Sequence, residues 1–312
     1  MVQPMDVLRD FPVRKTKQQK VAFREAVLSY AKSLGYACKE EKGQFGTVNV
    51  CIGNTDDAKI LVTAHYDTCA AMPIPNFITP CNFPVYLLYQ LLLTVVIIGL
   101  AGILGGVVGA LLSNPFYAVL VAELVFFGLF ALLLFGPANK NNANDNTSGV
   151  VAVLETAAAL SDEQRKTMAF VLFDLEEAGL LGSSAYRKAH RQASSKQLVL
   201  NVDCAGDGRE LMMVPTKKLK KLTPLLQRLQ ALCPPDGDRL LYVKDKGFAF
   251  YPSDQVNFPY GLGIAAFHRS PFFGLYMNRI HTKRDTILDE KNMALLRSYF
   301  LRVADEAAKE RN

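Results

Sequence analysis

The sequence predicts an α/β protein: a three-layer α/β/α sandwich around a mixed, mostly parallel central sheet, with an inserted two-helix transmembrane hairpin. Three observations lead to this prediction. Short apolar, β-favouring runs alternate with helical patterns, as in sheets covered by helices on both faces. Acidic residues and histidines directly follow several of these runs, where ligands of such sheets bind. Two long apolar runs have no natural place in a soluble domain of this size.

Composition limits the partners and the compartment. The net charge is +6, and no sustained basic run carries interleaved aromatic residues, so we expect no nucleic-acid partner. The cysteines are scattered without Cys-x-x-Cys spacing, which indicates free thiols in a reducing compartment rather than disulfides or a thiolate metal site. The polar N-terminus lacks the apolar region of a signal peptide, so we expect that no such peptide exports it.

A helix and two strands are predicted before the apolar runs. Apolar positions recur at helical spacing over 17–34, and the β-branched runs 45–52 and 59–64 predict strands, the second of them central. His65 and Asp67 directly follow that second strand. A lone histidine at a strand end is commonly structural. A carboxylate two residues later favours metal binding, because a metal-binding imidazole usually donates its other N–H to such a group.

Residues 83–137 are predicted to be the transmembrane helical hairpin. The runs 83–112 and 116–135 flank a Ser-Asn-Pro turn, and each is about long enough for the ~20 residues that cross a ~30 Å hydrocarbon core. Glycines four residues apart favour close helix packing in lipid, so the hairpin can also join copies into a homo-oligomer. A buried hairpin, or a dimerisation element of a soluble oligomer, is the alternative. Glu123 is either a functional intramembrane carboxylate or a protonated or interface-reaching one.

Flanking charges predict the orientation of the hairpin. Basic residues flank it only on the side of the remaining chain: Arg14, Lys15, Lys17, Lys20 and Lys140. The positive-inside rule then puts that part of the protein in the cytoplasm. We therefore expect an integral membrane protein of the plasma membrane, in which 1–82 and 138–312 form one discontinuous domain on the cytoplasmic side.

The second half of the chain continues the alternation of helices and strands. The predicted helices are 150–160, 183–193, 217–232 and 290–309, and the predicted strands begin near residues 170, 197 and 264. Asp145 precedes the first of these helices, where an aspartate is commonly an N-cap. Glu176 and Glu177 end the first of these strands. Placing two adjacent carboxylates there costs free energy unless a cation lies between them or the two residues have different roles.

Five residues of metal-binding type therefore stand at strand ends or in the loops after them. They are His65, Asp145, Glu177, Asp203 and His281. Imidazole and carboxylate ligands suit Zn²⁺ and similar divalent metals. Two metals can share a bridging carboxylate and lower the pKa of bound water to ~7. A further carboxylate beside a ligand can then move the proton, and Glu176 stands in that position.

Taken in order, these segments resemble the co-catalytic di-zinc aminopeptidases. This group includes bacterial leucine aminopeptidases, glutamate carboxypeptidase II and glutaminyl cyclases. The motifs are His-x-Asp, Asp-Asn-x-Ser-Gly, Glu-Glu-x-Gly-Leu-x-Gly-Ser, Asn-x-Asp and a late His-Thr, and the resemblance covers most of 17–82 and 138–305. It implies two zinc ions, one held by His65 and Asp203, the other by Glu177 and His281, with Asp145 bridging them.

The resemblance also implies roles for neighbouring residues. Asp67 would orient His65, Glu176 would be the general base, and the peptide after Asp145 would be cis. Three departures bear on substrate preference: the inserted hairpin, Gln255 where the group has histidine, and Lys283 where proline often follows His-Thr.

The function expected from the resemblance is a membrane-tethered zinc aminopeptidase that hydrolyses N-terminal peptide bonds. A related carboxypeptidase, N-acyl amidohydrolase or glutaminyl cyclase stays open, as does a catalytically inactive membrane receptor or scaffold. Because the hairpin leaves beside His65 and returns just before Asp145, we expect the site to open near the bilayer and to accept hydrophobic or membrane-derived peptides. Four residues are candidates either for its pocket or for the core: Phe272, Phe273, Leu275 and Tyr276.

Overall fold

A computed structural model describes residues 3–235 and 237–310 and confirms the predicted α/β sandwich. The outermost residues of the predicted domain, 1–2 and 311–312, lie outside the described residues, as does residue 236. The strands are β1 (Cys38–Lys42), β2 (Val48–Ile52), β3 (Ile60–His65), β4 (Met168–Phe173), β5 (Leu198–Val202), β6 (Glu210–Pro215), β7 (Leu240–Val243), β8 (Tyr260–Ser270) and β9 (Gly274–Tyr276). The α-helices are α1 (Val7–Asp10), α2 (Lys17–Ser33), α3 (Phe83–Leu111), α4 (Pro115–Phe135), α5 (Ser148–Ala159), α6 (Asp162–Arg165), α7 (Leu181–Ala189), α8 (Thr223–Ala231) and α9 (Glu290–Lys309).

These strands form one mixed sheet within the described residues. Their order is β1-β2-β4-β3-β5-β8-β6-β7, and β9 pairs with β8. The central strands β4, β3, β5 and β8 are parallel to one another. The register places His65 opposite Phe173, and Thr63 opposite Asn201. The carboxyl ends of three strands therefore meet at one edge of the sheet, which brings together the polar residues that follow them.

Helices cover both faces of the sheet, which completes the three layers. Successive side chains of β4 point to opposite faces. Phe170 and Leu172 join the core formed with α2, α5 and α9, whereas Phe173 packs on the other face against Tyr186 of α7 and Phe258.

The inserted segment forms two long antiparallel helices, α3 and α4. Both are long and apolar enough to cross a membrane by length and composition, and few of their residues are buried. A Cβ on Gly105 would lie 2.3 Å from the carbonyl oxygen of Ala118, so the glycine allows the backbones to approach closely. Glu123 is exposed on the outer surface of the pair. The domain boundary drawn around this segment stays a prediction.

Some elements differ from the sequence-based expectation. Strand β1 was missed because its sequence, Cys-Lys-Glu-Glu-Lys, is charged, which is usual for an edge strand. The helix expected over 217–232 begins only at Thr223, since Pro224 favours the first turn of a helix. Strand β8 is longer than expected and extends from Tyr260 to Ser270.

Candidate metal centre and cleft

The five predicted metal ligands converge at the carboxyl edge of the sheet. Their ligand atoms form two groups, within each of which all atoms lie within 4.8 Å of one another. One contains His65, Asp145 and Asp203, and the other contains Asp145, Glu177 and His281, together with Cys69. The segments that supply them are far apart in the sequence, so the fold is what creates the cluster. Their roles as ligands stay predictions.

Asp145 lies between the two groups and belongs to both. Its Oδ1 is 3.3 Å from Nε2 of His65, and its Oδ2 is 3.0 Å from Nε2 of His281. Asp203 completes the first side, with Oδ1 3.5 Å from the same nitrogen of His65. On the second side, Oε2 of Glu177 is 3.6 Å from Nε2 of His281. The two oxygens of Asp145 therefore face two separate histidines, as a bridging carboxylate requires.

The peptide between Asp145 and Asn146 is cis, as the resemblance implied. Asp145 does not cap α5; Oδ1 of the next residue, Asn146, accepts a hydrogen bond from the backbone N–H of Gly149 in the first turn of that helix, at 2.9 Å. Asp285 instead fixes the turn. Its two carboxylate oxygens accept hydrogen bonds from the backbone N–H groups of Asn144 and Asp145, at 2.7 and 3.0 Å. Burial, reinforced by the nearby charge of Asp145, raises the pKa of Asp285 to about 7.

Asp67 contacts three parts of the cluster. Its Oδ1 is 3.5 Å from Nδ1 of His65, the arrangement expected of an orienting carboxylate. The same carboxylate accepts hydrogen bonds from the backbone N–H groups of Glu176 (3.0 Å) and Glu177 (3.2 Å). Asp67 thus links the end of β3 to the turn after β4. Burial alone would raise its pKa, but His65 and the other donors outweigh burial and lower it.

The turn after β4 is fixed by a buried ion pair. Nζ of Lys20 is 2.6 Å from Oδ1 of Asp174, and both side chains are buried. Asp174 also accepts hydrogen bonds from the backbone of Val48 and Leu175. Gly182 is required here, because a Cβ at this position would lie 2.1 Å from the carbonyl oxygen of Asp174. The second glycine of the Glu-Glu-x-Gly-Leu-x-Gly-Ser motif therefore allows α7 to begin against this turn.

The two adjacent glutamates lie in a strongly acidic environment. Burial, opposed by His65 and reinforced by Glu177, raises the pKa of Glu176 well above its ordinary value. Burial is also the main cause for Glu177, whose pKa is raised to about 8. Oε2 of Glu176 is 4.0 Å from Nε2 of His65, and Glu176 also forms a candidate ligand group with His65 and Glu177. Both glutamates therefore lie close to His65.

The residues present fit divalent metal ions. The cluster gathers imidazole nitrogens and carboxylate oxygens, the ligands that Zn²⁺ accepts. Oε1 of Glu177 is buried and has no hydrogen-bond partner among the described residues. Buried polar atoms are usually satisfied, and so dense a group of carboxylates is costly without a cation. The cluster as it stands has more acceptors than donors.

Three further residues belong to the site and were not identified from the sequence. Both carboxylate oxygens of Asp254 are buried without a partner among the described residues, and burial raises its pKa to about 7. Cys69 lies in the second ligand group, although scattered cysteines had indicated no metal role. Arg14 is fully buried and donates to the carbonyl oxygen of Tyr66 and to Oγ1 of Thr147. These partners are more than fifty residues away in the sequence, so no local motif indicates that Arg14 lies near the site.

Arg14 and Lys20 also correct the charge argument. Both were expected to be among the basic residues flanking the hairpin, but both are buried inside the domain. Lys15 and Lys17 are partly or fully exposed, and Nζ of Lys15 is 3.4 Å from the carbonyl oxygen of Leu134 in α4. The predicted orientation of the hairpin thus depends on fewer charges: Lys15, Lys17 and Lys140.

The cluster lies in a cleft of about 420 Å³. The predicted ligands line part of this cleft, and much of the remaining lining, called the apolar wall below, is apolar: Ile78, Tyr86, Leu134, Leu180, Phe250 and Ile280. The four residues predicted from the sequence to lie either in the pocket or in the core are not among the cleft-lining residues. Phe273 and Tyr276 pack against Phe77, Phe272 is exposed, and Leu275 is buried in the core.

Comparisons with solved structures agree with this fold. A glutaminyl cyclase of Porphyromonas gingivalis superposes with a TM-score of 0.59 at 17% identity, covering 99% of this chain and 97% of that chain. The LapA aminopeptidase of Legionella pneumophila gives 0.58 at 14%, covering 98% and 68%. A leucine aminopeptidase precursor from Bacteroides thetaiotaomicron gives 0.57 at 15%, covering 94% and 91%. At these identities the likeness concerns the fold.

Sequence comparisons identify the family. A probable leucine aminopeptidase of Arthroderma otae is 34% identical over 89 residues, which cover 26% of this chain and 25% of that relative. The chain thus matches only a quarter of the length of this curated relative. Residues 131–303 match the family described as Peptidase family M28. That match spans more than half of the chain and includes Asp145, Glu177, Asp203 and His281. The predicted resemblance is therefore confirmed, and this chain belongs to peptidase family M28.

Proposed function

We propose that this protein is a membrane-anchored, zinc-dependent aminopeptidase with two zinc ions at the cluster. One observation carries the proposal: the two carboxylate oxygens of Asp145 face His65 on one side and His281 on the other, at 3.3 and 3.0 Å. Asp203 would complete one site and Glu177 the other. Membership of family M28 and the match to a probable leucine aminopeptidase support a peptidase.

Each residue near the cluster has a task in this proposal. The bound zinc ions would polarise the scissile carbonyl and lower the pKa of the attacking water to about 7. Glu176 would accept the proton of that water and deliver it to the leaving amine. Asp67 would hold the ring of His65 and the backbone of both glutamates, through the contacts described above. Asp285 would hold the turn that carries Asp145.

The anchoring part of the proposal rests on α3 and α4. Their length, their apolar surface and the small fraction of it that is buried favour a hairpin that crosses a bilayer and returns. Both ends of such a hairpin lie on the same side of the membrane. Lys15 and Lys140 lie beside these ends, and the connecting turn of residues 112–114 carries no charge, so the positive-inside rule favours a cytoplasmic domain.

Metal content and a base-deficient variant test the mechanism. Full-length protein purified in detergent should contain two equivalents of zinc and cleave peptides with a free N-terminus. Replacing Glu176 by Gln should lower kcat by about 10²–10⁴-fold with zinc retained, the usual contribution of a general base. Glu163→Gln, at a largely exposed position, is the matched control and should keep full activity. Turnover of Glu176→Gln within tenfold of wild type, with zinc bound, would show that the mechanism is wrong.

Substrate tests separate the related activities. An aminopeptidase cleaves free but not N-acetylated peptides, whereas an N-acyl amidohydrolase prefers the acetylated form. Shortening from the other end would identify a carboxypeptidase, and cyclisation of N-terminal glutamine a glutaminyl cyclase. Protein that binds no zinc and acts on none of these peptides would favour an inactive receptor or scaffold.

A further inference from the structure

The ends of the apolar hairpin form part of the active-site cleft. Tyr86 lies in the first turn of α3 and Leu134 in the last turn of α4. Both line the cleft that contains Asp145, Glu176 and His281. The hairpin therefore supplies cleft surface as well as an anchor.

Backbone hydrogen bonds join the residues before the hairpin to His281 and to the residues after the hairpin. The N–H of Met72 donates to the carbonyl oxygen of His281 at 2.7 Å. The N–H of Ala71 donates to the carbonyl oxygen of Pro137 at 2.8 Å, and Ala70 and Ala138 form an isolated antiparallel bridge. These bonds hold both ends of the hairpin close to the cluster.

The unequal lengths of the helices define where the cleft lies along the membrane normal. α3 has 29 residues and α4 has 21, whereas ~20 residues cross the hydrocarbon core. Counting back ~20 residues from Leu111 puts Tyr86 about 8 Å beyond the hydrocarbon, at ~1.5 Å per residue. Counting ~20 residues forward from Pro115 puts Leu134 at the boundary of the hydrocarbon core. The apolar wall of the cleft thus lies at the level of the lipid headgroups.

Aromatic residues surround the cleft at this level. The ring of Tyr86 is 5.8 Å from that of Phe250, and the ring of Phe83 is 5.7 Å from that of Phe248. Phe248 is 55% exposed, and Phe272, on a neighbouring loop, is 83% exposed. Exposed aromatic rings at the end of a membrane helix are typical of the interface between lipid and water. Of these aromatic residues, Tyr86 and Phe250 line the cleft, and Phe83 packs against Phe250 and Phe248.

We propose that the cleft selects peptides that lie on the bilayer surface and begin with a large apolar residue, whose side chain packs against Tyr86 and Leu134. This inference rests on the proposed function and adds the substrate class. The polar cluster would face the scissile bond, while the apolar wall would receive the first side chain. A peptide bound at the headgroup level reaches this wall without leaving the membrane surface.

Variants of the wall test the side-chain preference. The assay uses full-length protein in nanodiscs and compares peptides that begin with Leu or Ala. Tyr86→Ala and Leu134→Ala should each reduce the Leu-over-Ala ratio of kcat/KM by about tenfold, the usual value of a lost apolar contact. Leu134→Phe should instead lower activity on Leu peptides and spare Ala peptides. Leu92→Ala, at an exposed site on the same helix pair, is the control and should leave the ratio unchanged. Equal ratios in wild type and in a zinc-loaded Leu134→Phe protein would overturn the proposal.

An anchored substrate tests the membrane location. The same Leu-initiated peptide is offered free or coupled at its C-terminus to a lipid chain in the nanodisc. The anchored form should be cleaved with at least about tenfold higher kcat/KM, because the bilayer raises its effective concentration at the cleft. Equal rates for both forms would refute the surface-bound substrate while leaving the aminopeptidase activity intact. Zinc-loaded protein that cleaves neither form would instead reject the proposed function.

Discussion

Replacing Asp67 by Asn tests whether one carboxylate organises the cluster. Asp67 accepts hydrogen bonds from the backbone N–H groups of Glu176 and Glu177 at 3.0 and 3.2 Å, and its Oδ1 lies 3.5 Å from Nδ1 of His65. Asparagine keeps one accepting oxygen and adds an amide that can only donate. At least one buried N–H therefore loses its acceptor, and the ring of His65 loses its negatively charged partner.

The expected magnitude follows from these contacts. Loss of the partner of a metal-binding histidine usually weakens metal affinity by about 10–100-fold. A buried donor without an acceptor costs about 1–3 kcal/mol. Asp67→Asn should therefore weaken zinc binding by about 10–100-fold and lower the free energy of unfolding of the metal-free protein by at least about 1 kcal/mol.

Competition with a chelator of known affinity measures the zinc affinity, and urea denaturation of the metal-free protein measures its stability. Asp162→Asn, which removes a carboxylate that is 95% exposed, is the matched control and should change neither quantity. Zinc affinity of Asp67→Asn within twofold of wild type would refute the reasoning, because the carboxylate would then orient nothing that binds metal.

Three further predictions concern stability, the hairpin and the metal. Lys20→Met leaves Asp174 buried without its cation and should lower the free energy of unfolding by about 3–5 kcal/mol, largely recovered in Lys20→Met/Asp174→Asn, as measured by urea denaturation. Gly105→Leu should lower the thermal stability of the detergent-solubilised protein, because its Cβ would collide with Ala118, whereas Gly106→Leu, with open space around it, should not. Removing metal with a chelator should abolish peptide cleavage and lower the melting temperature, and added zinc should restore both. Full activity after verified metal removal would contradict the zinc-dependent mechanism.

The sequence predicted the parts of the fold that local patterns encode. The central strands are continuously apolar and end in polar residues, so β3, β4 and β5 were found with errors of only a few residues. Strand β1 was missed because a charged edge strand has no apolar pattern. The position of Arg14 was also beyond local patterns, since its burial depends on partners more than fifty residues away.

The candidate site was predicted as a set of motifs, and the structure brings those motifs together. The order of motifs identified His65 and His281, but their closeness to Asp145 arises from sheet register and from one irregular turn. Asp285 and Asp254 were missed for a related reason. Asp285 accepts hydrogen bonds from backbone N–H groups, and both carboxylate oxygens of Asp254 are buried. Tertiary packing creates both features, so neighbours in the sequence do not indicate them.

The position of β3 in the sheet has a consequence for biosynthesis. β3 lies between β4 and β5, and both follow the hairpin in the chain. While the ribosome makes the intervening residues, a mostly apolar strand has no neighbouring strand to pair with for on the order of ten seconds, at ~5–20 residues per second. Four of the five predicted ligands, Asp145, Glu177, Asp203 and His281, also follow the hairpin in the chain. The cluster therefore cannot assemble until the hairpin has been synthesised, and His65 stays without its companions until then.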